Sequence, residues 1–418
     1  MSAVAIPLAN EGGAAEGDRR RARPSKGGES LSRRARLSLF AVLGLGYAAR
    51  VGWIFQDKAS SPHPDLPSFI EPSLRLLNPF DSGMREPGFV WWLWLIRQFG
   101  VSGFLGIRLV TALWFIGTAA FVFFLARRWL GEKRAWIVLG FYSFLPTQIQ
   151  ADGLGMRHLV ESFGMAWMLW ALLTAEGLSP SRRWVHAAAS VALLVMVRIS
   201  FLGSSALFLL YGALRRRSRA LLAALAPALF LLFFHFRANE RRFGDPFYTI
   251  NIHSYWFANA EFIGQPGFPA SFEEWQKDAH RKSLTYRQWM FDRHSPMEIV
   301  GAHLVGYYRF FWFSPEKTYF PAWFGPLRWL ALGALLVGFG TAFYSAALRP
   351  VLMAMTFYAW PYAFPGHVHW AGRFFVPVSY LFLILIVAGG ETLWGFLRIG
   401  FASLFVGRSG KGRGREVN

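Results

Sequence analysis

The chain has 418 residues, of which 54% are hydrophobic, 18% are aromatic and only 16% carry a charge. A soluble domain would not need so much apolar surface, so this composition is typical of a polytopic membrane protein in a lipid bilayer. The net charge of +20 is better explained by membrane topology than by nucleic-acid binding, because Lys and Arg gather in short runs between apolar segments. The lack of cysteine excludes disulfides and thiolate metal sites.

Both ends of the chain are polar and basic, and we expect them to lie in the cytoplasm. Residues 1–36 carry Gly, Ser and Arg without apolar periodicity, which is typical of a disordered tail. Residues 37–390 form the predicted transmembrane domain, and residues 391–418 are expected to be an interfacial segment followed by a second basic tail. Segment 37–55 is long enough to span the membrane, so it is interpreted as an uncleaved first helix.

The apolar segments predict an all-α fold with about ten transmembrane helices. A spanning helix needs roughly 17 to 25 apolar residues, or fewer where neighbouring helices shelter it. By this criterion the spans lie at 37–55, 105–126, 135–149, 159–175, 184–197, 201–214, 219–236, 326–348, 350–365 and 374–390. The two spans that flank Arg198 are among the shortest of the series.

The basic residues give these spans an orientation. Runs at 127–128, 182–183 and 215–219 fall at every second turn, and the positive-inside rule assigns them to the cytoplasm. The two long loops, 56–104 and 237–325, mix acids and bases almost evenly and are therefore predicted to lie outside. We expect a multi-pass protein of the bacterial inner (plasma) membrane with an outward-facing active site.

Each long outer loop contains an aromatic segment that is too short to span. Residues 89–99 follow Pro87 and Gly88 and are rich in Trp, so we expect a helix that lies in the membrane interface. Residues 296–313 are similar, and the polar stretch 271–294 is expected to form a short, helix-rich cap.

Asp65 is the sharpest catalytic candidate in the first outer loop. Pro64 and Pro67 restrict the backbone around it. Its carboxylate could take a proton from an acceptor hydroxyl. The alternative is structural, because Asp is a favoured N-cap and a helical turn is expected to begin at Leu66. The two roles are compatible.

Arg85 precedes Glu86, Pro87 and Gly88 at the start of the predicted interfacial helix. Its guanidinium could make a planar, two-point contact with a phosphate at the depth of the lipid headgroups. The commoner role of an arginine in this position is simply to reach towards the interface. Both interpretations stay open on the sequence.

Arg157, His158 and Glu161 bring charge to the start of the fourth predicted span. Arg157 and Glu161 are four residues apart on one helix face, so we expect an ion pair. An acid near hydrocarbon costs on the order of 2 to 3 kcal/mol or more unless it faces a polar cavity. This cost favours a site-lining position for the three residues. Arg198, between two apolar runs, is expected to have a partner, to line a water-filled site or to reach lipid phosphates.

A last polar patch, at 367–377, lies at the outer mouth of the final span. It contains His367, His369 and Arg373, and we expect the site to bind an anion through Arg373. Two histidines at i and i+2 could suggest a metal, but the sequence offers no obvious third ligand and the spacing is not helical. We therefore assign no metal and no cofactor, although a divalent metal is chemically conceivable.

Several short motifs follow one another along nearly the whole chain after residue 37. The acid of the first outer loop is followed by Arg-x-Pro-Gly at 85–88, a short amphipathic helix, GIRLVTALW from 106 and FFLARRWLG from 123. RFGDPF from 242 opens the second long loop, and GRFFVPV from 372 ends the pattern. Together these motifs resemble the bacterial branch of the GT-C membrane glycosyltransferases, which includes protein O-mannosyltransferases and lipid A aminoarabinose transferase.

The resemblance implies a GT-C-like fold and a specific chemistry. Members of this family transfer one sugar from a polyprenyl phosphate to an acceptor on the outer side, usually with inversion. Asp65 matches the first-loop acid, although many relatives have Asp-Glu where this chain has Asp65-Leu66. Asp65 would orient or deprotonate a lipid, glycan or protein acceptor. Arg85, Arg198 and Arg373 would stabilise the leaving phosphate, on which charge develops in the transition state.

Two other classes of protein fit part of this pattern. A lipid-linked saccharide carrier, polymerase or ligase would bind the same kind of headgroup. A carrier, however, should show helix-breaking pairs in matching halves, and the chain contains few. A non-catalytic membrane scaffold would leave the acids and arginines near the membrane unexplained.

Overall fold

The fold is known from a computed structural model, which describes residues 31–57, 65–74, 78–83, 85–175, 177–277, 284–313, 315, 325–368 and 374–409, with side chains to Arg398. Within these ranges the regular elements are all helices, in agreement with the predicted all-α class. Two predicted site residues, His369 and Arg373, lie outside the described residues, as does most of the predicted N-terminal tail.

The α-helices follow the apolar segments of the sequence closely. In chain order they are α1 (Arg33–Gln56), α2 (Pro67–Leu74), α3 (Pro87–Gln98), α4 (Phe104–Thr111), α5 (Trp114–Leu130), α6 (Glu132–Phe144), α7 (Pro146–Asp152), α8 (His158–Leu169), α9 (Pro180–Val197), α10 (Phe201–Arg216), α11 (Ala226–Phe243), α12 (Tyr248–Glu261), α13 (Phe272–Lys277), α14 (Pro296–Tyr308), α15 (Leu327–Tyr344), α16 (Arg349–Gly366) and α17 (Ser379–Ser409). Short π or 3-10 turns extend several of them, such as Trp170–Thr174 after α8 and Arg219–Leu225 before α11.

Five helical segments in the described part of the chain are long and apolar enough to cross a membrane. They are Arg33–Gln56, Phe104–Leu130, Arg219–Phe243, Leu327–Tyr344 and Val376–Arg398. Large apolar side chains on these segments stay exposed, as expected for helices that lipid covers in place of protein. The chain is therefore an all-α membrane protein.

The other five predicted spans also coincide with helices, but these are shorter or less apolar. They correspond to α6 with α7, α8 with its π turn, α9, α10 and α16. The span at 135–149 is interrupted, because Leu145 is extended and Pro146 begins a new helix. The full set of ten spans stays a prediction.

Contacts between helix ends bring two of the basic junctions together. Arg216, at the end of α10, donates to the carbonyl of Leu173 at 3.2 Å, and Arg183, in the first turn of α9, donates to the Ala175 carbonyl at 2.6 Å. These basic junctions therefore lie at one end of α8, α9 and α10, whereas Arg157 and Arg198 lie at the other end of α8 and α9. Elsewhere Arg134 pairs with Glu391. The orientation of the chain in the membrane stays a prediction.

Small residues allow some helices to approach closely. A Cβ added to Gly389 of α17 would lie 1.8 Å from the carbonyl oxygen of Ala334 in α15. A Cβ added to Gly88 at the start of α3 would lie 2.7 Å from the backbone carbon of Met196 in α9. The two backbones can come this near only because the glycine has no side chain between them. Gly88 thus sets the distance between the interfacial helix and the bundle.

A buried ion pair joins α1 to α7. Arg50 Nη2 lies 2.5 Å from Asp152 Oδ2, and both side chains are fully buried. Gln148 donates to the other oxygen of Asp152 at 2.8 Å and accepts from Ser379 at 3.0 Å. These contacts satisfy the buried charges and fix the first helix against the bundle.

The predicted aromatic segments of the outer loops are helices, as expected. α3 has 12 residues, is too short to span, and buries Phe89, Val90 and Leu93 on one face while Leu95 is exposed. The stretch predicted as a helix-rich cap contains α13 and a π turn at Gln288–Asp292. Trp289 of this stretch packs in a small apolar core with Ala258 of α12, Ala302 of α14 and Phe364 of α16, and these packed parts together are called the outer cap below.

Candidate functional site

Four charged side chains form a continuous row of ion pairs at the end of the bundle opposite the basic junctions. Arg157 Nη1 lies 2.6 Å from Glu86 Oε2, and Arg157 Nε lies 3.3 Å from Glu161 Oε1. The same Glu161 oxygen lies 2.8 Å from Nε of Arg198. The predicted pair between Arg157 and Glu161 is therefore confirmed, and Arg198 has the partner that its depth required.

Three members of this row lie at junctions between helices, and the fourth, Glu161, lies in the first turn of α8. Glu86 is the residue before α3, where Pro87 occupies the first helical position and needs no N–H partner. Arg157 is the residue before α8, and Arg198 follows α9 with an extended backbone. The row therefore ties the interfacial helix to two helices of the bundle.

Aromatic side chains close the inner end of the row. Arg198 Nη1 lies 3.4 Å from the hydroxyl of Tyr362, and that hydroxyl lies 2.9 Å from Oγ of Ser200. The Arg198 guanidinium also lies 5.0 Å from the centre of the Phe374 ring. Phe374 belongs to the motif that the sequence placed at the mouth of the last span.

Asp65 and Arg85 form a separate pair beside the outer end of the row. Arg85 Nη2 lies 3.3 Å from Asp65 Oδ1, and Arg85 Nε donates to Ser68 at 2.7 Å. The ring of Phe69 lies 4.8 Å from the Arg85 guanidinium and 5.4 Å from that of Arg157. This ring thus lies against both cations.

The local structure explains how Asp65 is held. α2 begins at Pro67, one residue after the predicted start, and the Leu66 carbonyl accepts from the amide of Ile70 at 3.1 Å. Ser68 donates to the carbonyl of Asp65 at 2.6 Å. Asp65 thus lies at the entrance to a short, proline-initiated helix, a position compatible with both interpretations from the sequence.

The Asp65–Arg85 pair is the accessible edge of the whole cluster. The side chains of Asp65 and Arg85 are 27% and 15% exposed, whereas those of Glu161 and Arg198 are 0% and 4% exposed. A ligand that arrives from outside therefore meets Asp65 and Arg85 first.

The charges of the cluster balance. Three carboxylates, from Asp65, Glu86 and Glu161, face three guanidinium groups. Buried charges are tolerated when each has an opposite partner and hydrogen bonds. Among the described residues the cluster is consequently a neutral frame, and an anion that binds to one of its guanidinium groups competes with a carboxylate.

Glu86 is ionised, and His253 is neutral at neutral pH. Burial would raise the pKa of Glu86, but the positive charges of Arg157 and Arg198 outweigh burial and lower the pKa to about 2. Burial lowers the pKa of His253 to about 4, against the effect of Glu86 and together with the charges of Arg85 and Arg157. At neutral pH the imidazole of His253 is therefore an uncharged polar group close to the cluster.

The structure brings together most, but not all, of the residues singled out in the sequence. Asp65, Arg85, Arg157, Glu161 and Arg198 are in one cluster. His158 is buried at the first position of α8, beside them in sequence. His367 follows α16 and contacts Glu261 of the outer cap at 2.8 Å.

Sequence reasoning overlooked three polar members of this end of the bundle. Glu86 is an acid directly before the Pro87-Gly88 pair that begins α3. If this position is buried, the acid needs an oppositely charged partner, and this was the available signal. Tyr362 lies among aromatic residues of α16, where a hydroxyl gives no periodic signal. His253 lies in an aromatic stretch of the predicted second outer loop, and only its proximity to Glu86, Arg85 and Arg157 distinguishes it.

Comparison of the chain with family models, with curated proteins and with solved structures finds no match. The GT-C interpretation therefore rests on the motifs quoted above.

Proposed function

We propose that this protein is an integral-membrane glycosyltransferase that moves a sugar from a polyprenyl-phosphate donor to an acceptor on the extracytoplasmic side. The observation that carries the proposal is the Asp65–Arg85 pair, a partly exposed carboxylate and guanidinium in front of an enclosed, charge-balanced frame. This pair combines a base and a phosphate ligand at one accessible edge.

In the proposed reaction the donor phosphate competes with Asp65 for the guanidinium of Arg85. The Asp65 carboxylate, displaced from Arg85, accepts the proton of the acceptor hydroxyl. The hydroxyl oxygen attacks the anomeric carbon of the sugar at the same time. The bond from that carbon to the phosphate oxygen breaks, and the phosphate leaves with the electron pair. Arg85 stabilises the charge that develops on the leaving group.

The other two proposed phosphate ligands have different positions. Arg198 is held by Glu161 and Tyr362, so we propose that it acts by fixing Glu161 and the frame. Arg373 lies outside the described residues. Its proposed role rests on the sequence motif that it shares with Phe374.

A test compares Asp65→Asn with Asp81→Asn. Asp81 pairs with Arg242 at 2.5 Å in the same outer region, but this pair is exposed and separate from the cluster. Asn is nearly isosteric and can cap a helix, but it takes no proton at neutral pH. We therefore expect Asp65→Asn to keep its melting temperature and its binding of polyprenyl phosphate, while sugar transfer falls by about 10²- to 10⁴-fold.

Transfer is followed by mass spectrometry of membrane glycolipids and glycoproteins from a strain that lacks the protein and carries either variant. Asp81→Asn should restore the parent pattern. If Asp65→Asn restores it equally well, the catalytic assignment is wrong. If the strain without the protein loses no glycan but accumulates a complete lipid-linked oligosaccharide, the alternative of a carrier, polymerase or ligase is favoured.

A further inference from the structure

Three side chains converge in the outer cap, away from the Asp65 cluster. Glu261 is the last residue of α12, His294 lies just before α14, and His367 directly follows α16. The Nε2 atoms of both histidines lie 2.8 Å from the same oxygen, Oε1 of Glu261. All three ligand atoms lie within 4.8 Å of one another.

Each of the three side chains also makes a second hydrogen bond, through Nδ1 of the two histidines and Oε2 of Glu261. Nδ1 of His294 lies 2.9 Å from the carbonyl of Trp289, and Nδ1 of His367 contacts the carbonyl of Phe364. The indole N–H of Trp289 donates to Oε2 of Glu261 at 2.6 Å. Carbonyl partners on Nδ1 and a hydrogen-bonded carboxylate are the usual outer contacts of metal-binding histidine and glutamate.

These contacts decide which atoms carry protons. A backbone carbonyl only accepts, so each Nδ1 must carry a hydrogen. A neutral imidazole has one N–H, which leaves a lone pair on each Nε2 directed at a carboxylate oxygen. In this arrangement both lone pairs face a carboxylate oxygen, and a cation bound between the three groups would be coordinated by all of them.

We propose that Glu261, His294 and His367 bind a divalent cation, for which Zn²⁺ is the best match. Zinc takes imidazole nitrogen and carboxylate oxygen at about 2.0–2.2 Å, so ligand atoms around a tetrahedral ion are roughly 3.3 Å apart. The two separations of 2.8 Å between Glu261 and the histidines would open by about 0.5 Å, and the separation of the two histidine nitrogens, which is within 4.8 Å, would adjust towards the same value. Three protein ligands leave a fourth position for water.

The site would connect three parts of the fold that are distant in sequence. It would fasten the end of α12 to the start of α14 and to the end of α16. Glu261 follows His253 by two turns of α12, and His253 is within electrostatic reach of Glu86. A cation in the cap would thus hold the helix that carries His253 over the Asp65 cluster. This inference goes beyond the proposed function and does not depend on it.

The first experiment uses the unmodified sequence, purified in lipid nanodiscs with an affinity tag that contains no histidine. Elemental analysis after dialysis against trace Zn²⁺ should give close to one zinc per chain. After chelation, Co²⁺ should produce visible absorption bands of a four- or five-coordinate ion, and Zn²⁺ should remove them. Absence of both bound zinc and the cobalt bands would overturn the proposal.

The second experiment assigns the site to these residues. Glu261→Gln and His294→Gln should each abolish the cobalt bands and the stoichiometric zinc. His303→Gln is the matched control, because His303 lies in the same cap, contacts the ring of Phe364 and donates from Nδ1 to the Ile299 carbonyl. If the control loses metal as the others do, or if the ligand variants keep it, the assignment is wrong.

Discussion

The substitution Glu161→Gln tests whether the row of ion pairs holds this end of the bundle together. Glu161 Oε1 receives Arg198 at 2.8 Å and Arg157 at 3.3 Å, and the Glu161 side chain is fully buried. Gln keeps the shape of the side chain but removes its charge. Arg198 then remains buried without an opposite charge within contact distance, a state that water cannot relieve.

The magnitude follows from these contacts. Hydrogen bonds to charged groups contribute about 1.5–3 kcal/mol each, and breaking one side of a buried ion pair costs about 3–5 kcal/mol. We therefore expect Glu161→Gln to lower the free energy of unfolding by about 3–5 kcal/mol, a large part of the 5–15 kcal/mol typical of a folded protein. The double variant, which carries Glu161→Gln and Arg198→Gln, should be more stable than Glu161→Gln alone, because it no longer buries an uncompensated cation.

The assay is reversible unfolding in mixed micelles, followed by tryptophan fluorescence. Glu240→Gln is the control, since Glu240 also pairs with an arginine, Arg237, at 2.7 Å, but both side chains are about half exposed. An exposed helix pair contributes only about 0.3–0.5 kcal/mol. If Glu161→Gln is no more destabilising than Glu240→Gln, or if the double substitution adds a second full loss, the row is not the structural frame inferred here.

Two further predictions concern the same region. The pKa of Glu86 is lowered from 4.5 to about 2. Ionised Glu86 therefore contributes about 3 kcal/mol to the free energy of unfolding above pH 4.5, and this contribution is lost as pH falls towards 2. His253 has its pKa lowered from 6.5 to about 4, so stability should already fall between pH 6.5 and 4, because the unfolded chain binds the proton more readily. Acid titration of unfolding should show both windows, and Glu86→Gln and His253→Gln should each remove one. Gly88→Ala should force α3 away from α9 and cost about 1–3 kcal/mol together with sugar transfer, whereas Gly140→Ala, which meets open space in α6, should be neutral or stabilising. Equal effects of the two alanines would contradict the close packing of α3.

The sequence was sufficient wherever the deciding physics is local. Apolar length placed helices at every predicted span, because a backbone in hydrocarbon must satisfy its hydrogen bonds internally. The spacing of Arg157 and Glu161 predicted their ion pair, because residues four apart share a helix face. Pro87 and Pro67 marked the starts of two short helices, since proline is favoured at the first helical position.

Only the tertiary structure decided which distant charges meet. Glu86 reaches Arg157 across 71 positions, and His367 reaches Glu261 across 106. No residue spacing encodes such contacts, because they depend on how the helices pack and on the close approach that Gly88 permits. For the same reason the sequence does not show which residues meet His367. Its partner Glu261, and His294, which contacts the same oxygen, lie in the second long loop of the sequence. Burial, which makes each charge need a partner, is a property of the folded chain alone.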